Sequence, residues 1–277
     1  MNDIIKNQLI KQCKFAPIGV DVLKEFNLAE NFIKTNCCIF DDVRGLLCGG
    51  IHVLGGASGH GKSLALLKLA ELCASAGNGS ILYVSVENDI CTDYSRFKFD
   101  KYSNNIDYVN VAFQDINLDH LKYYIYNTLE QDKYNYVFID GLELCLDNTR
   151  ESSDLYTSGN DLFHDIRARI VNKNTAVVLS WQLRRDTNLS SIDKISIDDF
   201  ATSMGIVRYA SQVYCILRTK TKWSIKRLKC RSDCDFDKLT KEYIIYDNNN
   251  KTFDLNLSNT DDSLNYTLDN SMFSNGI

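Results

Sequence analysis

The sequence predicts an α/β protein with a mainly parallel central sheet flanked by helices and an antiparallel extension near its C-terminal end. Three observations carry this. From position 50 onward, strand-like apolar runs alternate with helical patterns, as a parallel sheet requires. Two of the runs are almost continuously apolar, which suits strands covered on both faces. A glycine-rich loop, "GGASGHGKS" (55–63), joins the run "IHVL" to the helical pattern "LALLKLAELCASAG". With 277 residues, 44% of them hydrophobic, the chain suits one large α/β domain with appendages, or two small ones.

Taken in order, residues 4–14 place apolar side chains at helical spacing, and Pro17 ends that helix. A second short helix is expected over "VDVLKEFNLAENFI" (20–33). Strands are expected at 51–55, 80–87, 106–112, 134–140 and 176–182, with helices at 62–76, about 118–131 and about 159–172. After residue 205 the pattern changes: "QVYCILRTK", "WSIKRLKCR" and "KEYIIYD" read as short strands joined by charged turns, the antiparallel extension over 211–247. Residues 258–277 hold no Lys or Arg, are rich in Asn, Ser and Asp, and are expected to be disordered. The chain thus divides into a helical assembly segment (1–35), a main domain (36–257) and an acidic tail (258–277).

Lys and Arg number 31 against 36 Asp and Glu, a formal net charge of −5. Any contact with nucleic acid must therefore come from a local basic patch. No apolar run of 18 residues and no signal-peptide pattern is present, so the expectation is a cytoplasmic protein without a membrane partner. The ten cysteines lack disulfide or zinc spacing, and Cys73, Cys145 and Cys215 sit in apolar segments as small hydrophobes.

The loop at 55–63 asks for a phosphate. Gly56-x-x-x-x-Gly61-Lys62-Ser63 is the P-loop spacing. Glycines let backbone N–H groups turn inward, and the following helix adds its positive N-terminal dipole. Lys62 suits the β and γ phosphates of ATP, and the Ser63 hydroxyl suits Mg²⁺. Gly56, Ser58, Gly59, Gly61 and Leu64 complete the expected nucleotide-binding set.

Hydrolysis needs further groups. Asp140 ends the apolar run "YNYVFID", at the ligand-facing end of a parallel strand, and suits the Mg²⁺ shell. Glu87 ends "SILYVSVE" and can polarise an attacking water; Glu143 is the rival. Gln182 ends "AVVLSWQ", where an amide can sense the γ-phosphate.

The set "GGASGHGKS", "LYVSVEND", "VFIDGLELCLD", "VVLSWQLRRD" and "KRLKCRSD", in this order and spacing, resembles the RecA-fold motor domain of DnaB-family replicative helicases, especially the phage-type hexameric ones. The resemblance covers roughly residues 36–247. It implies an ATP-dependent DNA helicase that forms a ring, and it implies Glu87 as the catalytic base. It also implies that Lys229 and Arg231, matching a Lys-x-Arg pair, reach into the neighbouring subunit's site. The glycine that usually follows that pair is replaced here by "SDCDF", and residues 1–35 stand where bacterial members carry a separate domain.

In such a ring, single-stranded DNA passes the loops that follow the later core strands. "LRRDTNLSSIDKISIDDFATSMG" is that loop by position, with Arg184, Arg185 and Lys194 for phosphates, and Ser203 and Gly205 for close backbone approach. Phe200 is its sole aromatic residue. Implied partners are single-stranded DNA, further copies of the chain, and primase or other replisome proteins. A RecA-type recombinase or regulatory ATPase, and a helicase loader without unwinding activity, are the alternatives.

Overall fold

Every residue of strand β3 (Ile51–Gly56) is buried, because it has a parallel neighbour on each side. These neighbours are β7 (Ala176–Gln182) and β8 (Ala210–Arg218). The structure is a computed structural model and describes residues 32–88, 92–93, 105–111, 118–142, 152–171, 173–200, 203–220, 222–231, 242–247 and 252–255. The helix expected at 4–14, Cys145, Glu143 and the tail at 258–277 lie outside these residues.

The remaining strands are β4 (Ile81–Ser85), β5 (Ile106–Asn110), β6 (Tyr136–Asp140), β9 (Lys222–Cys230), β10 (Glu242–Asp247) and β11 (Thr252–Phe253). Among the described residues they complete a nine-stranded sheet in the order β11-β10-β9-β8-β3-β7-β6-β4-β5. Pairing is parallel from β8 through β5 and antiparallel from β8 through β11. The fold is α/β, with a mostly parallel central sheet flanked by helices.

Side chains alternate across this sheet. Along β6, Tyr136 and Phe138 face one core, while Val137 and Ile139 face the other. Both faces are apolar, which is why the strands read as unbroken hydrophobic runs. After the short helix α1 (Cys38–Asp41), helix α2 (Lys62–Ala76) covers the first face with Ala65, Leu66, Leu69, Ala70 and Cys73, spaced to share one side of a helix. Burying each leucine contributes about 1.5–3 kcal/mol. Gly77 ends this helix in the left-handed conformation at φ 69°. Helices α3 (Leu118–Glu130), α4 (Ser152–Ile170) and α5 (Ser203–Tyr209) cover the opposite face. There Trp181 is fully buried, its ring 5.1 Å from that of Phe163.

Two expectations need correction. Phe32–Ile33 form strand β1, paired antiparallel with β2 (Leu46–Leu47), rather than the end of a helix. Tertiary contacts hold this lead-in: the backbone N–H and hydroxyl of Thr35 donate to Asp41 Oδ1 at 2.9 and 3.0 Å, and buried Arg227 Nη2 donates to the Ile39 carbonyl at 2.9 Å. The extension also begins one strand later than expected, since β8 joins the parallel core through β3. Among the described helices, none is long and apolar enough to cross a membrane.

Candidate functional site

Parallel strands deliver their C-terminal ends to one edge of the sheet, and four expected site residues meet there. Gly56 ends β3 with Gln182 beside it in register, and Asp140 ends β6 beside Ser85, two residues before Glu87. Of these four, Glu87 lines a cleft of about 280 Å³. Gly59, Gly61, Lys62, Ser63 and Leu64 line one side, Glu87 and Asn88 another, and Arg218 and Trp223 a third. This size and mixed polarity suit a small charged ligand.

The loop owes its path to glycine. Gly59 and Gly61 adopt φ of 75° and 86°. Gly61 is doubly constrained, because a Cβ there would stand 2.6 Å from the Trp223 ring. Helix α2 starts immediately afterwards, so its N-terminal dipole points into the cleft. Lys62 is buried, its ammonium donating to the Ala57 carbonyl at 3.3 Å. Gly56 is buried behind the loop, and Ser58 is exposed at its tip.

Asp140 is fully buried. Burial pushes its carboxyl up to about 6; the Ser180 and Ser63 hydroxyls act in the opposite sense, and the nearby charges of Glu87 and Asp93 add to the rise. Its Oδ2 accepts from Asn88 Nδ2 at 3.4 Å, while Oδ1 is buried with no hydrogen-bond partner among the described residues. A buried carboxylate with one bare oxygen, beside a serine hydroxyl at a helix start, fits a magnesium shell. Glu87 is exposed at the cleft, where solvent can reach it.

Arg218, Trp223 and Asn88 were not anticipated as site residues. The Arg218 guanidinium lies 4.6 Å from the Trp223 ring centre, and the Tyr246 ring is 5.2 Å from it. These three also border an adjoining space of about 790 Å³ with Thr219 and Lys220. That space is larger than the loop-side cleft and, unlike it, has no carboxylate in its lining. A tryptophan two residues into an antiparallel strand has no local motif to announce it.

Lys229 and Arg231 stand at the other end of β9 from Trp223. Lys229 Nζ donates to the Ile206 carbonyl at 3.4 Å, and Arg231 Nη2 donates to the Arg208 carbonyl. Burial, with Arg231 nearby, pushes the Lys229 ammonium down to about 8; burial and Arg231 likewise lower Arg167 on α4. The structure therefore gathers three cations there, away from the cleft of the same chain.

The expected DNA loop leaves β7 on the cleft side. Arg184 and Arg185 are exposed, Arg184 pairing with Asp186 at 3.4 Å, and exposed Lys194 donates to Ser190 Oγ at 3.1 Å. Ser203 is the first residue of α5. Gly205 is buried, and a Cβ there would stand 3.0 Å from Phe163; its smallness serves helix packing rather than close approach by DNA. Phe200 is buried too, its ring over the bare backbone of Gly55, where a Cβ would meet it at 2.1 Å. It cannot stack on a base. No protein-family model matches the chain, and no curated protein matches it.

Proposed function

We propose that this chain is a RecA-like, P-loop ATPase of the DnaB helicase type, which hydrolyses ATP to move along single-stranded DNA as part of a ring. The observation that carries the reading is the convergence, at one sheet edge, of a left-handed glycine loop, Lys62 and Ser63 with buried Asp140 and exposed Glu87.

In this reading the loop N–H groups and Lys62 bind the polyphosphate, and the adjoining space beside Trp223 receives base and ribose. Ser63 and Asp140 would hold Mg²⁺, which neutralises charge on the β and γ oxygens when bound. Glu87 orients a water and takes its proton. Gln182, one strand from Gly56, reports the γ-phosphate to the loop beginning at Leu183, whose N–H donates to the Gly56 carbonyl at 3.3 Å. Arg184, Arg185 and Lys194 supply a local basic surface on an acidic protein.

A forked-duplex strand-displacement assay tests this. ATP-dependent unwinding by the wild type, lost in Lys62→Ala, is expected. ATP hydrolysis with filament formation and no unwinding would favour a recombinase instead, and an absence of nucleotide binding would remove the reading altogether.

A further inference from the structure

Strand β4 ends at Ser85, opposite Asp140, and the chain then turns through Val86, Glu87 and Asn88. A buried polar set holds that turn. Asp93 is completely buried, and its Oδ2 accepts from Ser85 Oγ and Tyr108 Oη, each at 2.7 Å. Asn110 Nδ2 donates to Tyr108 Oη at 3.0 Å and to the Asn88 carbonyl at 2.8 Å. Asn88 Nδ2 then donates to Asp140 Oδ2. The Tyr83 ring stacks on Tyr108 at 5.8 Å, which restricts the phenol.

The direction of these bonds is determined by chemistry. The Ser85 and Tyr108 hydroxyls both donate to Asp93 Oδ2, and Ser85 Oγ also lies within 3.3 Å of the Asn88 carbonyl. Tyr108 Oη then offers a lone pair to Asn110, whose amide NH₂ must face outward to the Asn88 carbonyl. At the far end, only the NH₂ edge of Asn88 can meet Asp140. Asp93 Oδ1, like Asp140 Oδ1, is buried with no hydrogen-bond partner among the described residues.

We propose that Asn88 is a positioning residue for the metal carboxylate, anchored by Asp93: the amide holds Asp140 by Oδ2 and leaves Oδ1 to the cation. This rests on the nucleotide reading above. Outer partners of a metal ligand are worth about 10–100-fold in metal affinity.

The test titrates Mg²⁺ against the full chain with a ribose-labelled fluorescent ATP analogue, read by energy transfer from tryptophan, since Trp223 lines the cleft. Asn88→Ala should raise the half-saturating Mg²⁺ about 10-fold or more at saturating analogue, and Asn88→Gln, which restores an amide donor, should recover part of that loss. Asp93→Asn, which keeps shape but blurs the bond directions, should shift the same quantity the same way by less. Unchanged Mg²⁺ half-saturation in a folded Asn88→Ala protein overturns the proposal. A wild type that binds the analogue with no Mg²⁺ dependence removes the metal reading itself, and this inference with it.

Discussion

Trp223 and Arg231 occupy opposite ends of one strand-length of chain: Trp223 packs on Gly61 of the glycine-rich loop, and Arg231 follows the last residue of β9. Eight residues at ~3.3 Å each separate them by roughly 26 Å. No rotamer brings the Arg231 guanidinium to its own chain's cleft. If Arg231 acts on a nucleotide, it does so on that of another copy.

Lys62→Ala should abolish hydrolysis and weaken nucleotide binding, because the phosphates lose their charged partner. Among the described residues the buried lysine's ammonium donates to the Ala57 carbonyl alone, so its loss should leave the fold intact. Binding titrations and circular dichroism on the same sample check both halves.

Glu87→Gln should bind ATP and Mg²⁺ normally while turnover falls by roughly 10²–10⁴, the weight of a positioned base. Single-turnover hydrolysis measures it. Normal turnover here, with the loss appearing in Glu143→Gln, would transfer the role.

The two perturbed groups set a pH window. Asp140 must be ionised to hold the cation, so metal-dependent binding should fall as pH drops through about 6. Lys229 must be charged to act on phosphate, so turnover should fall as pH rises through about 8. Lys229→Arg should remove the alkaline limb and leave the acid limb in place, because arginine stays protonated throughout. A pH–rate profile of the two proteins decides this.

Asp140 is also a cost to the metal-free fold. Its carboxyl titrates higher in the folded chain than at the ordinary 3.8, so stability is lost as pH rises from that value to about 6. Asp140→Asn should therefore raise stability at pH 7 by ~1–3 kcal/mol, with no difference from wild type below pH 4. Thermal unfolding across pH measures it, and the variant should lose Mg²⁺-dependent nucleotide binding.

The strands, the glycine loop and the placing of Glu87, Asp140 and Gln182 at one edge were legible because each is a local pattern and parallel strands align their ends. What was not legible depends on distant packing. Phe32–Ile33 become a strand only because Leu46–Leu47 lie beside them. Gly205 is expected at DNA by its place in the loop, but its packing against Phe163, like that of Phe200 over Gly55, depends on residues far away in sequence. Trp223 and Arg218 reach the cleft through a hairpin whose position beside the glycine-rich loop no spacing rule conveys.

The most direct measurement of the central claim mixes two inactive proteins, Lys62→Ala and Arg231→Ala, and records ATP hydrolysis with single-stranded DNA present. Each lacks one half of a shared site, and a cation supplied in trans is worth about 10³–10⁵ in rate. A mixed assembly contains interfaces where an intact Lys62 faces an intact Arg231, so activity should return in the mixture. Full mixing with no recovery, or full activity in Arg231→Ala alone, would contradict the account.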